Sequence, residues 1–251
     1  MSSVAISVIV LASVFGGALA GLLLRRSLPQ DHISPDSKDT VKLSMALVST
    51  MSALVLGLLV SSAKTFYDTQ SAELNQMSAD IVALDRLLAH YGPETKKARE
   101  ELRVVVIRNL DRIWPQERTR ASEEPLSDKP GESLLDEIQE LSPKDDNQRS
   151  LGAQALNLAV SIGRIRWLMY AQSNASFSRT LLAVMVFWLI LVFFSFGLFA
   201  PRNAISIASL FAAALAVSGA ILLILEMYMP FTGLIQISSA PLRSALAHLG
   251  Q

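Results

Sequence analysis

No cysteine occurs among the 251 residues. That excludes disulfides, thiolate catalysis and cysteine-based metal sites. Charge is scarce as well: Asp, Glu, Lys and Arg make up 18% of the chain, where soluble domains carry about 25%. The charges balance to zero, so no basic surplus points to nucleic acid. The histidines His32, His90 and His248 lie far apart, and none has a second ligand at helical metal-binding spacing. There is no His-Glu-x-x-His, phosphate loop, dinucleotide turn or nucleophile elbow. The reading is therefore of a protein that is not an enzyme and needs no cofactor. Alternating, strand-like runs and internal repeats are missing too.

Long apolar runs are present. Ser2–Leu24, Leu43–Ala63, Thr180–Ala200 and Ala204–Leu225 hold no Asp, Glu, Lys or Arg. Each is roughly 20 residues or longer, enough to cross about 30 Å of hydrocarbon as a helix. A charge at the bilayer centre costs several kcal/mol, so four such runs predict four spans. Ser2–Leu24 lacks a basic start, and Arg25 and Arg26 follow it, so it reads as a retained helix rather than a signal peptide. The fold class expected is all-α. It comprises spans one and two (1–63), an extramembrane helical section (64–179), spans three and four (180–228) and an interfacial tail (229–251).

Within that frame the chain predicts particular elements. Arg25–Lys42 reads as a turn-rich connector, with Asp39 or Thr40 capping the second span. Asp31, Asp36 and Asp39, with Ser34 and Ser37, offer oxygens to a divalent cation, but a turn-and-cap role fits better because Lys38 and Lys42 compete. The second helix continues past the membrane through Tyr67, Leu74, Met77, Ile81, Leu84 and Leu88 on one face, until Gly92-Pro93 stops it. A helix over Pro93–Ile113 turns Leu102, Val105, Val106, Leu110 and Ile113 inward. Gln116–Gly131 is loop-like, and Glu132–Leu141 is a short amphipathic helix. From Asp145 a helix runs through Leu151, Leu158, Ile162, Ile165 and Leu168 into the third span. Glu226 ends the fourth, where a charge is cheap if it reaches water.

Small residues mark close-packing faces. Ser13, Gly17 and Gly21 form one row on the first span, beside Ala12, Gly16 and Ala20. Ala208, Ala212, Ala216 and Ala220 form another on the fourth. The second span is the most informative. Ala46, Thr50, Ala53, Gly57, Ser61 and Lys64 share one narrow stripe, with Lys42 and Ser49 at its edge. Leu47, Met51, Leu54, Val55, Leu58 and Leu59 lie opposite. The lysines stand roughly 33 Å apart along the axis. Two readings follow: a tight helix–helix contact with snorkelling lysines, or a pore wall in an oligomer with cationic rings favouring anions. The candidate pore-lining residues are Lys42, Ser49, Thr50, Ala53, Gly57, Ser61 and Lys64.

Three blocks carry a resemblance: SPDSKDTVKLSMALVSTMSALVLGLLVSSAKTFYD (Ser34–Asp68), LDRLLAHYGPETKKAREELR (Leu84–Arg103) and EMYMPFTGLIQISSAPLRSAL (Glu226–Leu246). They resemble a bestrophin-like family of bacterial multi-pass membrane proteins, and the likeness covers most of the chain outside roughly Pro115–Asp145. It implies a homo-oligomer, with five subunits as in true bestrophins. The second helix would line a pore for small anions, and a helical cytosolic section would stand between spans two and three. This chain departs from bestrophins in having no aromatic between Leu43 and Ala63 and no evident acidic calcium clasp. Gating and calcium dependence are therefore not carried over.

The expected partners are the lipid bilayer, further copies of the chain and a small anion, with no nucleic acid. The expected location is a bacterial inner membrane. The competing class is a non-conducting scaffold or sensor whose middle section binds a partner. Orientation is balanced: Arg25, Arg26, Lys38, Lys42 and Arg202 face one side, and Lys64, Arg164, Arg166, Arg179 and Arg243 the other. The layout of the resembled family places the middle section in the cytoplasm.

Overall fold

The structure is a computed structural model and describes residues 2–27, 35–114, 132–173 and 179–250. All regular elements among them are helical. In chain order they are α1 (Ser3–Ser27), α2 (Pro35–Tyr91), a 3-10 turn (Pro93–Thr95), α3 (Lys96–Ile113), α4 (Glu132–Gln139), α5 (Asp146–Ser173), α6 (Arg179–Phe199), α7 (Ala204–Met227) and α8 (Ala240–His248). Four helices are long and apolar enough to cross a membrane: α1, α2, α6 and α7.

Helix α2 begins five residues before the expected cap at Thr40. Pro35 is its first residue, where proline's missing N–H costs nothing and its fixed φ suits the helix. At 57 residues it is about 85 Å long. The loop-like 116–131 segment, the join between α5 and α6, and the Asp31 part of the acidic cluster lie outside the described residues. Asp39 pairs with Lys42 at 3.4 Å, both exposed.

The chain divides into two compact units. One comprises Met1–Tyr67 and Ser176–Met229, the other Asp68–Ala175 and Pro230–Gln251. In the first, α1 packs on α6 and α7 around Val10, Val14, Ala18, Met185, Leu189, Phe193, Ala214, Ile221 and Leu225. The α1–α6 contact depends on glycine. A Cβ on Gly21 would overlap the Phe194 carbonyl, and one on Gly197 would overlap the Ala18 carbonyl. The Ser13-Gly17-Gly21 row is thus packing within one chain. Two arginines close the same end. Arg25 donates to the Phe199 and Ala200 carbonyls at the end of α6, and Arg202 Nη2 donates to Leu22 O at 2.7 Å. The first meets carbonyls that the end of α6 leaves without helical partners, and the second adds a bond to a carbonyl near the end of α1. Asn203 caps α7 by accepting from Ser206 N at 2.7 Å.

The second unit is built on the continuation of α2. Leu74, Met77, Ile81, Leu84 and Leu88 are all buried, as are Leu102, Val105, Val106 and Leu110 of α3. Asp85 accepts a bidentate pair from Arg99 at 2.7 and 2.9 Å and a further bond from Gly250 N. That hydrogen bonding raises the Arg99 pKa, so the guanidinium stays charged at any pH of interest. Gly92, at φ 136°, makes the turn into α3, a conformation only glycine adopts freely. The tail belongs to this unit. Helix α8 packs on α3, Trp114 Nε1 donates to Ile237 O at 3.0 Å, and Phe231 meets the Trp114 ring edge-on. Helix α5 buries Ala155, Ala159, Ile162, Ile165 and Met169. Leu168, expected inward, is 39% exposed, because the buried face lies nearer Met169.

Candidate functional site

Helix α2 presents three faces within the first unit. The narrowest is covered. Leu59 and Ala63 are buried against Ile224 of α7, with Val55, Leu56, Met227 and Tyr228 around them. Tyr228 stacks on Phe66 at 5.2 Å and shares a 3.1 Å hydrogen bond with Ser62. Val55 and Leu59, placed by spacing with the leucine face, therefore belong to this contact.

The second face is the small and hydroxylated stripe. Lys42, Thr50, Ala53, Gly57, Ser61 and Lys64 are exposed, and Ser49 is half-buried. A Cβ built on Gly57 meets nothing within 4 Å, the opposite of Gly21. The stripe is therefore not a tight contact within the chain. The third face is Leu47, Met51, Leu54 and Leu58, each between 47% and 70% exposed. Buried residues make up 11% of the most apolar stretch of α2, against 39%, 33% and 28% for α1, α6 and α7. Two faces of this helix thus lack cover from their own chain.

The hydroxyls on α2 differ. Thr50 donates to Ala46 O at 2.9 Å and is engaged with its own helix. Ser49 and Ser61 make no side-chain hydrogen bond among the described residues, so their O–H donors are available. The exposed stripe of α7 is similar in kind: Ala208, Ala212 and Ala216 are uncovered.

Two features escaped the sequence reading. Glu226, expected at a wet helix end, is 4% exposed within the first unit. The second is a cleft of about 470 Å³ beside α3, where Lys96, Arg99 and Arg103 meet Asp85 and Glu100; its mixed charge favours no ligand sign strongly. No group of His, Asp and Glu able to hold a metal is found among the described residues.

Four spanning helices and a helical section between the second and third define a multi-pass helical membrane protein. Residues 12–242 match the family model described as the Bestrophin-like domain. The chain belongs to that bestrophin-like family. No curated protein and no solved structure matches it.

Proposed function

We propose that this chain assembles into a homo-oligomeric channel for small anions in a bacterial inner membrane, with α2 lining the pore. The observation that supports it best is the uncovered stripe Lys42, Thr50, Ala53, Gly57, Ser61 and Lys64 on the least covered spanning helix. A pore helix in a ring needs three faces: one for its own subunit, one for the axis and one for the neighbour. Helix α2 has three. Leu59 and Ala63 hold it to α7, the small stripe suits a water-filled axis, and the leucine face suits the next subunit. Membership of the bestrophin-like family favours the same arrangement.

The chemistry follows from the stripe. Small side chains leave room for a hydrated ion. Ser49 and Ser61 can donate hydrogen bonds to an anion as it sheds water. Rings of lysine at both mouths raise the local anion concentration. At the Lys42 ring Asp39 offsets part of the charge. No catalytic step is assigned.

The test is a cysteine scan in a chain that has no native cysteine, reconstituted in planar bilayers. Cysteines at Thr50, Ala53 and Gly57 should react with water-soluble thiol reagents and reduce the current, while those at Leu54 and Leu58 should not react. The Lys64→Glu variant should shift selectivity towards cations. Uniform protection at all five positions, without current, would leave the non-conducting scaffold. A monomer mass in mild detergent and in nanodiscs would also defeat the proposal.

A further inference from the structure

The geometry points to a membrane-surface site on α5: the exposed face around Trp167 docks on the lipid headgroup layer and binds anionic lipid. Trp167 is 67% exposed, Tyr170 51% and Val160 53%, opposite a buried face of Ala155, Ile162, Ile165 and Met169. The Trp167 and Tyr170 rings lie 5.6 Å apart. Ala171 beside them is exposed, and a Cβ on Gly163 would meet nothing within 4 Å. Arg164 and Arg166 flank the tryptophan, both exposed and neither in an ion pair among the described residues. The Arg112 guanidinium stands 6.0 Å from the Tyr170 ring centre.

Three arguments choose the occupant. The first is composition: tryptophan and tyrosine have an apolar body with a polar tip, and they concentrate at membrane–water interfaces. The second is charge: from Asn147 to Leu225 the chain holds no Asp or Glu, so nothing on α5 past Asp146 repels a phosphodiester, and two arginines attract it. The third is reach. The spanning helix α6 starts at Arg179, twelve residues after Trp167, so even a fully extended chain keeps Trp167 within about 43 Å of the span, and a helical one within about 18 Å. A protein partner would use the same aromatic and arginine anchors, but it would have to supply acids for both arginines. The headgroup layer presents phosphate throughout.

The experiment places a cysteine at Ala171, labels it with an environment-sensitive fluorophore, and studies the full chain in nanodiscs of mixed phosphatidylcholine and phosphatidylglycerol. Lipid carrying a nitroxide near the glycerol should quench the label, and aqueous acrylamide should quench it less. Nitroxide on phosphatidylglycerol should act at lower mole fraction than nitroxide on phosphatidylcholine. The Arg164→Gln/Arg166→Gln variant should lose that preference by about tenfold or more. Stronger quenching by acrylamide would show a water-exposed face and overturn the proposal. Protection from both quenchers would show a second copy of the chain covering it, and would overturn it equally. Unchanged phosphatidylglycerol preference in the arginine variant would remove the anionic-lipid part. None of these outcomes depends on whether the protein conducts.

Discussion

At the residue scale, the glycines separate two kinds of surface that look alike in sequence. Gly21 and Gly57 each sit in a row of small residues on an apolar run. Gly21 faces the Phe194 backbone with no room for a methyl group, whereas Gly57 faces open space. The Gly21→Ala variant should therefore force α1 and α6 apart and cost about 1–3 kcal/mol through overpacking. The Gly57→Ala variant should leave stability unchanged or raised by up to about 1 kcal/mol, because alanine is the better helix former. Thermal unfolding of both variants in the same detergent checks this. Equal destabilisation would mean that Gly57 is also packed against a neighbour, and would count against an aqueous axis. Spacing could not separate the two rows, since it reports which residues share a face and is silent on what that face meets.

At the element scale, the tail is where the structure adds most to the sequence. Phe231–Gln251 is too mixed to show a clear period, and reads as a segment lying near the membrane interface. Its anchors are few and far apart: Ile237 receives the Trp114 indole, and Leu242 and Ala245 are buried. The Leu242→Ala variant should cost about 2–5 kcal/mol of stability in the second unit. Limited proteolysis should then cut 230–250 faster while 180–227 stays protected; an unchanged cleavage rate would refute the docking. The all-helical class, the four spans and the inward face of α2 from Leu74 to Leu88 were legible, because long apolar runs and sustained periodicity are strong local signals. Helix ends were less so. Pro35 starts α2 although the polar run around it resembles a loop, since proline in a first turn and proline in a turn read alike. The face of α5 was misjudged by one residue at Leu168, because its core positions Ala155 and Ala159 are small and give weak contrast. Arg25 and Arg202 as partners of helix-end carbonyls had no sequence signal, for the contact joins residues at opposite ends of the chain.

At the scale of the whole molecule, packing constrains topology. The tail from Pro230 and the section from Asp68 to Ala175 form one compact unit, so we expect both on one side of the bilayer. A return crossing by α6 and α7 would then leave the hairpin at Pro201–Asn203 opposite. Four crossings would bring both ends of the chain to one side. Which side that is cannot be read from charge number, as five Lys or Arg flank each face. Their roles differ, however. On the hairpin side Arg25 and Arg202 are bonded to helix-end carbonyls, and Lys42 is paired with Asp39. Those charges have a structural reason to be there whatever the orientation. On the other side Arg164 and Arg166 are exposed and suited to the negative surface of a cytoplasmic leaflet. We therefore expect the helical unit and both ends of the chain in the cytoplasm. A fluorescent protein fused after Gln251 should be bright and alkaline phosphatase at the same position inactive. The reverse pair would put the unit outside and assign the positive-inside signal to Arg25 and Arg26 after all.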